Sequence, residues 1–306
     1  MNDAAHLPQL KNSSRSSPAQ KSHPQIVEGV LAPFTNSSPP TRGTVATHGA
    51  RSVFSGRCLH NYTVVVLNRY PELAKKFIES IRATHDPMPS IVVVRDRNEA
   101  TYGDGVKVID GRLPFVFAAN ANLGIQYYAD RDVFLCNDDI EIMEKDFFPS
   151  LHAISGVYPQ CGIISPLVKG GLGNKIQEYY CKEELWKDRP NEVTTTTTLH
   201  FPCVLIKRKM IRRIGLLDEN FAGYGFEDLD YCIRAIRGGF WTMVTQQLYV
   251  KHGDGSEGFN RGKNYSLSFV KESLDMVSAD YFNRKYGQQF ELKDQRSIVG
   301  ASKNGG

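Results

Sequence analysis

The chain has 306 residues, of which 41% are hydrophobic, and it is long enough for one large α/β domain with a substantial buried core. Its formal net charge of +4 lies in residues 1–57, which hold six Lys or Arg and two Asp or Glu, while residues 58–306 hold 31 of each. The neutral charge of residues 58–306 argues against binding to nucleic acid, and the absence of any run of about 18 apolar residues argues against an integral membrane segment.

Residues 1–57 have the composition of a disordered N-terminal tail. They contain nine Ser, six Pro and two aromatic residues, so they cannot bury enough apolar surface to offset the entropy of ordering. The tail lacks the compact apolar segment of a secretory signal, which favours a cytoplasmic protein, although its low acid content leaves an organellar address open. We predict a folded domain at 58–290 and a C-terminal tail at 291–306; peripheral membrane contact stays open.

The cysteines predict buried, reduced thiols rather than a metal or redox site. None of them forms the CxxC pair that zinc sites and dithiol redox motifs use. Three of the six lie within apolar runs, where a thiol behaves as a small hydrophobic side chain. The cysteines are Cys58, Cys136, Cys161, Cys181, Cys203 and Cys232.

The first half of the folded domain alternates between strand and helix patterns. Runs of β-branched residues predict four buried strands, and Pro71 opens a helix whose apolar face includes Phe77 and Ile81. Strands that alternate with helices indicate βαβ units and a largely parallel sheet, in which ligands bind at the carboxyl ends of the strands. The predicted strands are 62–67, 91–94, 106–109 and 133–136. One predicted helix begins at residue 71, and a second spans 118–129.

The second half has a less regular pattern. Residues 165–198 include a glycine-rich stretch and five consecutive threonines, and we expect loop and edge structure over the site. The glycine-rich stretch, Gly170-Gly171-Leu172-Gly173, is no phosphate-binding loop, because neither GxxxxGK[ST] nor a GxGxxG after a strand is present. The remaining predicted elements are strands at 200–206 and 248–251 and helices at 227–237 and 265–286.

Adjacent carboxylates follow the strand predicted at 133–136. Asp138 and Asp139, preceded by Asn137, would repel each other at a strand end unless a positive charge lies beside them. A divalent cation meets this need, and oxygen ligands suit Mg²⁺ or Mn²⁺. The alternative interpretation is an Asx-rich turn with no metal.

His252 also ends a predicted strand, and Gly253 follows it. An imidazole at this position could complete the ligand shell of a metal ion, because glycine allows the backbone to approach a ligand closely. The alternative is a structural or solvated histidine, which is the commoner role of a lone His.

Three acidic residues lie in the first turn of the helix predicted at 227–237. Glu227 and Asp228 gain from the helix dipole there, which is one interpretation of their presence. The other is that the glycine before them lets Asp228 point into a cleft as a general base. Asp230 and Arg234 are spaced i,i+4, which predicts a surface ion pair.

The order of these features resembles the family 2 type of GT-A glycosyltransferases, particularly the rhamnosyltransferase-like branch. The resemblance covers roughly residues 60–255, and its most specific part is the sequence IGLLDENF at 214–221 followed by GFEDLDYCIR at 225–234. It implies an α/β fold of GT-A type, with a Rossmann-like, mixed and mainly parallel sheet flanked by helices.

The resemblance also implies roles for individual residues. Asp139 and His252 would bind the metal, Asp228 would be the catalytic base, and Glu227 is the fallback for that role. The sequence departs from the family at Asn137, where Asp is usual, and at 97–99, where small residues are usual. The residues implied in donor binding are Asn68, Asp96, Asn122, Gly124, Asn137 and Asp138.

The function implied is metal-dependent, inverting transfer of a sugar from a nucleotide-diphospho-sugar, linked to UDP, dTDP or GDP, to a hydroxyl group of a carbohydrate or other acceptor. The expected cofactor is Mn²⁺ or Mg²⁺. A nucleotidyltransferase of similar fold is one alternative, but it needs a basic triphosphate-binding loop after the first strand, where only Arg69 is present. A catalytically degenerate sugar-binding module is the other.

Overall fold

The computed structural model describes residues 61–96, 98–169, 177, 192–222, 225–253 and 268–287, with the side chains of the last helix from residue 277 onward. The described residues from 61 to 285 belong to one compact unit. The tails predicted at 1–57 and 291–306, the glycine-rich stretch at 170–173, Cys58 and Cys181 lie outside the described residues.

The described chain contains nine strands and six helices. In chain order they are β1 (Tyr62–Asn68), α1 (Pro71–Thr84), β2 (Ile91–Arg95), β3 (Val106–Asp110), α2 (Phe117–Tyr127), β4 (Asp132–Asn137), β5 (Ile140–Glu141), α3 (Phe147–Gly156), β6 (Cys161–Lys169), β7 (Val193–Thr196), β8 (Cys203–Ile206), α4 (Arg208–Ile214), α5 (Glu227–Arg237), β9 (Trp241–His252) and α6 (Ser268–Tyr286).

All nine strands belong to one mixed sheet in the order β3-β2-β1-β4-β8-β6-β9-β5, with β7 paired to β9. The strands β1 to β4 are mutually parallel, as the βαβ pattern predicts, whereas β8 runs antiparallel to both β4 and β6. At the far side β5 and β7 pair antiparallel with β9. The carboxyl ends of β1, β2 and β4 therefore share one edge of the sheet, where four of the predicted donor-binding residues stand, namely Asn68, Asp96, Asn137 and Asp138.

Both faces of β1 are buried, which explains its apolar run at 64–67. Val64 and Val66 pack with Phe77 of α1 on one face, while Val65 packs with Ile125 of α2 on the other. Alternate residues of a strand face opposite sides, so a strand covered by helices on both sides needs apolar residues throughout. The four cysteines that the structure describes, Cys136, Cys161, Cys203 and Cys232, are buried and free, as expected.

The second half contains more sheet than the sequence analysis predicts. The strand predicted at 248–251 is the end of the twelve-residue β9, and residues 165–169 belong to β6 rather than to a loop. The polar residues Thr242 and Thr245 interrupt the apolar pattern of β9, yet both are fully buried, where β9 pairs with β7. The strand predicted from 200 begins at Cys203, and α3 and α4 were not predicted. None of the described helices is long and apolar enough to span a membrane.

Candidate active site

Asp138 connects the carboxyl ends of β4 and β1. Its Oδ2 accepts hydrogen bonds from the backbone N–H groups of Arg69 and Tyr70, at 2.7 and 2.6 Å, and from Nδ2 of Asn68 at 3.2 Å. Burial and the charge of the neighbouring Asp139 raise the pKa of Asp138 to about 6, against the opposing effect of these hydrogen bonds. Asp138 thus fixes the turn that follows β1 beside the turn that follows β4.

Asn68 is the centre of a buried polar cluster at this edge. Its Oδ1 accepts hydrogen bonds from the Tyr102 hydroxyl at 2.5 Å and from Nδ2 of Asn98 at 3.1 Å. Asp96, also buried, donates its backbone N–H to the Asn68 carbonyl at 2.7 Å. Burial, followed by the charge of Asp138, raises the pKa of Tyr102 to about 12. The structure therefore brings Asn68, Asp96 and Asp138 together, and it adds Asn98 and Tyr102, which the sequence analysis did not identify.

The pairing of β5 with β9 places His252 beside Asp139. Ile140 is the register partner of His252, and the N–H of Gly253 donates to the Asp139 carbonyl at 2.8 Å. His252 is buried, and its Nε2 lies 3.3 Å from Oδ1 of Asp139. This Oδ1 is inaccessible to solvent and accepts no hydrogen bond from any described residue.

The atoms at this pair suit a divalent cation. A carboxylate oxygen without a donor and an imidazole nitrogen are both ligands that Mn²⁺ accepts, and Oδ1 of Asn137 is a further buried oxygen without a hydrogen bond among the described residues. No group of three or more His, Cys, Asp or Glu side chains with metal-binding arrangement occurs in the described part of the chain. Among the described residues, Asp139 and His252 are therefore the side chains that could hold a cation at this edge, with Asn137 as a further candidate.

The first turn of α5 carries Asp228 next to an imidazole. Oδ2 of Asp228 lies 3.0 Å from Nδ1 of His200, and Oδ1 accepts the backbone N–H of Leu229 at 2.7 Å. Phe226, directly before the helix, has a left-handed φ of +69°, a conformation that costs a non-glycine residue about 1–3 kcal/mol and that clusters at functional sites. Burial lowers the pKa of His200, but the hydrogen bond to Asp228 and its charge raise that pKa by more.

Glu227 and Asp230 are both buried, and for Asp230 this differs from the predicted surface ion pair. The predicted pair with Arg234 forms, at 2.8 Å, but it is not a surface pair, because the Asp230 side chain is 0% exposed. Lys285 of α6 adds a second ion pair at 2.7 Å. Asp230 therefore connects α5 to α6 inside the protein, a contact that local spacing could not indicate.

Asn122 and Gly124 of α2 have packing roles in the structure. The Asn122 amide hydrogen-bonds the backbone N–H and C=O of Leu217, at 3.0 and 2.9 Å, and Oε1 of Glu219 at 2.9 Å. A Cβ added to Gly124 would lie 2.2 Å from Cγ1 of Val65, so glycine lets α2 approach β1 closely. These partners of Asn122, Leu217 and Glu219, are not among the predicted donor-binding residues.

Comparison with solved structures identifies the fold. GalNAc-T7 with UDP, GalNAc and Mn²⁺ aligns with a TM-score of 0.52 and 13% identity, over 74% of this chain and 55% of that chain. The mannosyltransferase PcManGT from Pyrobaculum calidifontis, in complex with GDP-Man and Mn²⁺, aligns with a TM-score of 0.51 and 12% identity, over 74% of this chain and 65% of that chain. The chain has a GT-A fold. The predicted fold class, a mixed α/β sheet flanked by helices, is confirmed.

Sequence comparison finds a distant relative among curated proteins. No protein-family model matches the chain. A curated relative, the uncharacterized protein y4gI of Sinorhizobium fredii (strain NBRC 101917 / NGR234), is 25% identical over 206 residues, which are 59% of this chain. The chain spans 21% of the length of that relative and 55–65% of the length of the two structures.

Proposed function

We propose that the chain is a glycosyltransferase that moves a sugar from a nucleotide-diphospho-sugar to an acceptor hydroxyl with inversion at the anomeric carbon. The observation that carries the proposal is the pairing of β5 with β9, which sets Asp139 against His252 at the edge where Asn68 and Asp138 end their strands. The GT-A fold agrees with it, because the two aligned structures are glycosyltransferases crystallised with nucleotide and Mn²⁺.

In this proposal the strand ends hold the donor. Asn68, Asp96 and Asp138 form a rigid hydrogen-bonded wall for the nucleotide, since each is fixed by backbone contacts before any ligand arrives. Asp139 and His252 would hold Mn²⁺ or Mg²⁺, which supplies positive charge against the diphosphate leaving group when bound. UDP, GDP and dTDP sugars are the donor classes to test.

The first turn of α5 and the imidazole that contacts it would together take the proton of the acceptor hydroxyl. Asp228 stands in this turn and contacts His200, whereas Glu227 is more deeply buried, which favours Asp228 over Glu227 as the carboxylate of this pair. The finer classification in the rhamnosyltransferase-like branch of family 2 rests on the sequence stretch 214–234 alone.

A panel of nucleotide sugars tests the proposal. The full-length chain is incubated with UDP, GDP and dTDP sugars in Mn²⁺, Mg²⁺ or EDTA, and donor hydrolysis is followed with and without simple sugar acceptors. We expect metal-dependent turnover of one nucleotide class, and NMR of the released sugar should show the anomer opposite to that of the donor. Asp139→Ala should abolish turnover, whereas Asp130→Ala, an exposed aspartate before β4, should not.

Each contrary outcome has a distinct meaning. Metal-dependent binding of a nucleotide sugar without turnover would favour the sugar-binding module. Release of the anomer with retained configuration would refute inversion while keeping glycosyl transfer. Failure of every donor to bind, by calorimetry, would refute the proposal as a whole.

A further inference from the structure

His200 combines an exposed ring with a fixed backbone. Its side chain is 49% exposed, while the Asp228 side chain that it contacts is only 16% exposed. Both oxygens of that carboxylate already accept hydrogen bonds, Oδ2 from the imidazole and Oδ1 from the N–H of Leu229. Of the two side chains, the imidazole is therefore the one that an acceptor in solution can reach.

The contact with Asp228 determines which nitrogen of the ring is free to act. A carboxylate only accepts hydrogen bonds, so Nδ1 at 3.0 Å must carry the proton. In the neutral imidazole the lone pair then lies on Nε2. The ring is thus held in the tautomer that a proton acceptor needs.

Gln177 holds the backbone of His200 on both sides. Its Oε1 accepts the His200 N–H at 2.7 Å, and its Nε2 donates to the His200 carbonyl at 2.9 Å and to the Ser165 hydroxyl at 2.9 Å. Gln177 is itself fully buried. A buried amide that pairs with both sides of one residue is a strong positional constraint, because breaking either bond leaves a buried polar group without its partner.

The position of His200 in the fold places it at the edge of the candidate active site. The segment before β8 runs beside the end of β4, where the N–H of Asn137 donates to the carbonyl of Pro202 at 2.8 Å. Pro202 therefore contacts Asn137, the neighbour of Asp138 in sequence, and His200 lies two residues before Pro202. The dipeptide Leu199-His200 thus links this edge to the first turn of α5.

We propose that Nε2 of His200 is the general base of the transfer reaction and that Asp228 orients the ring and stabilises its protonated form. The inference rests on the proposed glycosyl transfer. The acceptor O–H bond breaks as its proton passes to Nε2, and the oxygen forms a bond to the anomeric carbon. The bond from that carbon to the diphosphate oxygen breaks, and the diphosphate leaves with the electron pair. Solvent then removes the proton from the imidazolium.

The charges around the ring agree with this role. Although burial lowers the pKa of His200, Asp228 raises it above its usual value of about 6.5, which makes Nε2 a stronger base. Gln177, which holds the His200 backbone, and its own partner Ser165 of β6 are uncharged. From α5, Cys232 faces Leu199 as a thiol whose pKa burial raises, Glu227 is adjacent to Asp228, and Asp230 is paired with two cations.

The test compares His200→Ala and His200→Gln with wild type in the full chain, using the UDP, GDP or dTDP sugar that wild type turns over fastest. We expect kcat to fall by about 10²–10⁴ while donor affinity by calorimetry stays within about threefold. Imidazole added to the buffer should restore part of the activity of His200→Ala. His152→Ala is the matched control, because His152 forms a similar pair with Asp132, at 2.9 Å, at the opposite end of β4.

The pH profile separates a base from a structural residue. Wild-type kcat should fall as pH drops through the raised pKa of His200, and this limb should be absent from the residual activity of His200→Gln. In Asp228→Asn the limb should move to lower pH, because the charge that raises the pKa is gone. A His200→Ala variant with kcat within about threefold of wild type, or one that imidazole does not rescue, would overturn the assignment alone. Absence of wild-type turnover would overturn the proposed function with it.

Discussion

Replacing Asp230 by Asn should destabilise the protein strongly, although its i,i+4 spacing from Arg234 predicts only a surface ion pair. The carboxylate is 0% exposed and pairs with Arg234 at 2.8 Å and with Lys285 at 2.7 Å. The Asn side chain keeps the shape of Asp but cannot neutralise either cation.

The expected loss of unfolding free energy depends on which partners Arg234 and Lys285 keep in the variant. Breaking a buried ion pair from one side costs about 3–5 kcal/mol. Arg234 is 21% exposed and still donates to the carbonyls of Ile214 and Leu216, and Lys285 is 26% exposed and keeps Asp218. We therefore expect the lower end, about 3 kcal/mol. For a folded body of this size that corresponds to a melting temperature lower by roughly 6–12 °C.

Thermal and urea unfolding of the variant and of a matched control measure this difference. Asp280→Asn alters an exposed aspartate of the same helix as Lys285, and its effect should stay within about 0.5 kcal/mol. Asp228→Asn should also melt near wild type, because its main partner His200 is half exposed. If Asp230→Asn and Asp280→Asn have the same melting temperature, the ion pair of Asp230 with Arg234 is a surface pair and α6 does not dock on α5 as described.

Three further predictions concern the metal, the packing of α2 and acid stability. Asp139→Asn should weaken Mn²⁺-dependent binding of UDP or GDP, by calorimetry, more than about tenfold, with an unchanged melting temperature in EDTA; equal affinity would place the metal elsewhere. Gly124→Ala should destabilise by about 1–3 kcal/mol through overpacking against β1, whereas Gly156→Ala, with open space at its Cβ, should be neutral or stabilising in the same melts. Burial raises the pKa of Asp132, but hydrogen bonds from an imidazole, an ammonium and a backbone N–H lower it to about 2, so its contribution of roughly 2 kcal/mol is complete above pH 4 and is lost as pH falls toward 2. Acid unfolding of Asp132→Asn should therefore be less steep between pH 4 and 2 than that of Asp130→Asn, and equal slopes would contradict the assignment.

The first half of the fold is predictable because its strands are covered on both sides. The buried interiors of β1 and β4 are apolar runs, and Pro71 marks the start of a helix that covers one face of β1. The sequence pattern does not reveal the full length of β9 because its buried threonines are polar; Thr242, for example, donates its hydroxyl to the carbonyl of Thr196 on the neighbouring strand β7. Hydropathy records the polarity of such a residue but not the partner that permits its burial.

The candidate site is less predictable, since its contacts join distant parts of the chain. The resemblance and the positions of Asp139 and His252 at strand ends are what point to a shared site, and in the structure the two side chains lie 3.3 Å apart. His200 has no local signal: a single histidine before a strand becomes informative only when Asp228 and Gln177 are seen beside it. The burial of Asp230 likewise depends on Lys285, which belongs to the last helix.

The antiparallel pairing of β5 with β9 also has a consequence for the order in which the protein matures. Asp139 emerges from the ribosome early and His252 late, and they meet only when the last strand has docked on the sheet. A truncated chain that ends before β9 would contain Asp139 without His252. Under the proposed metal dependence, ion capture would follow the pairing of β9 with β5, and Mn²⁺ retention by a purified sample would report that β9 is in place.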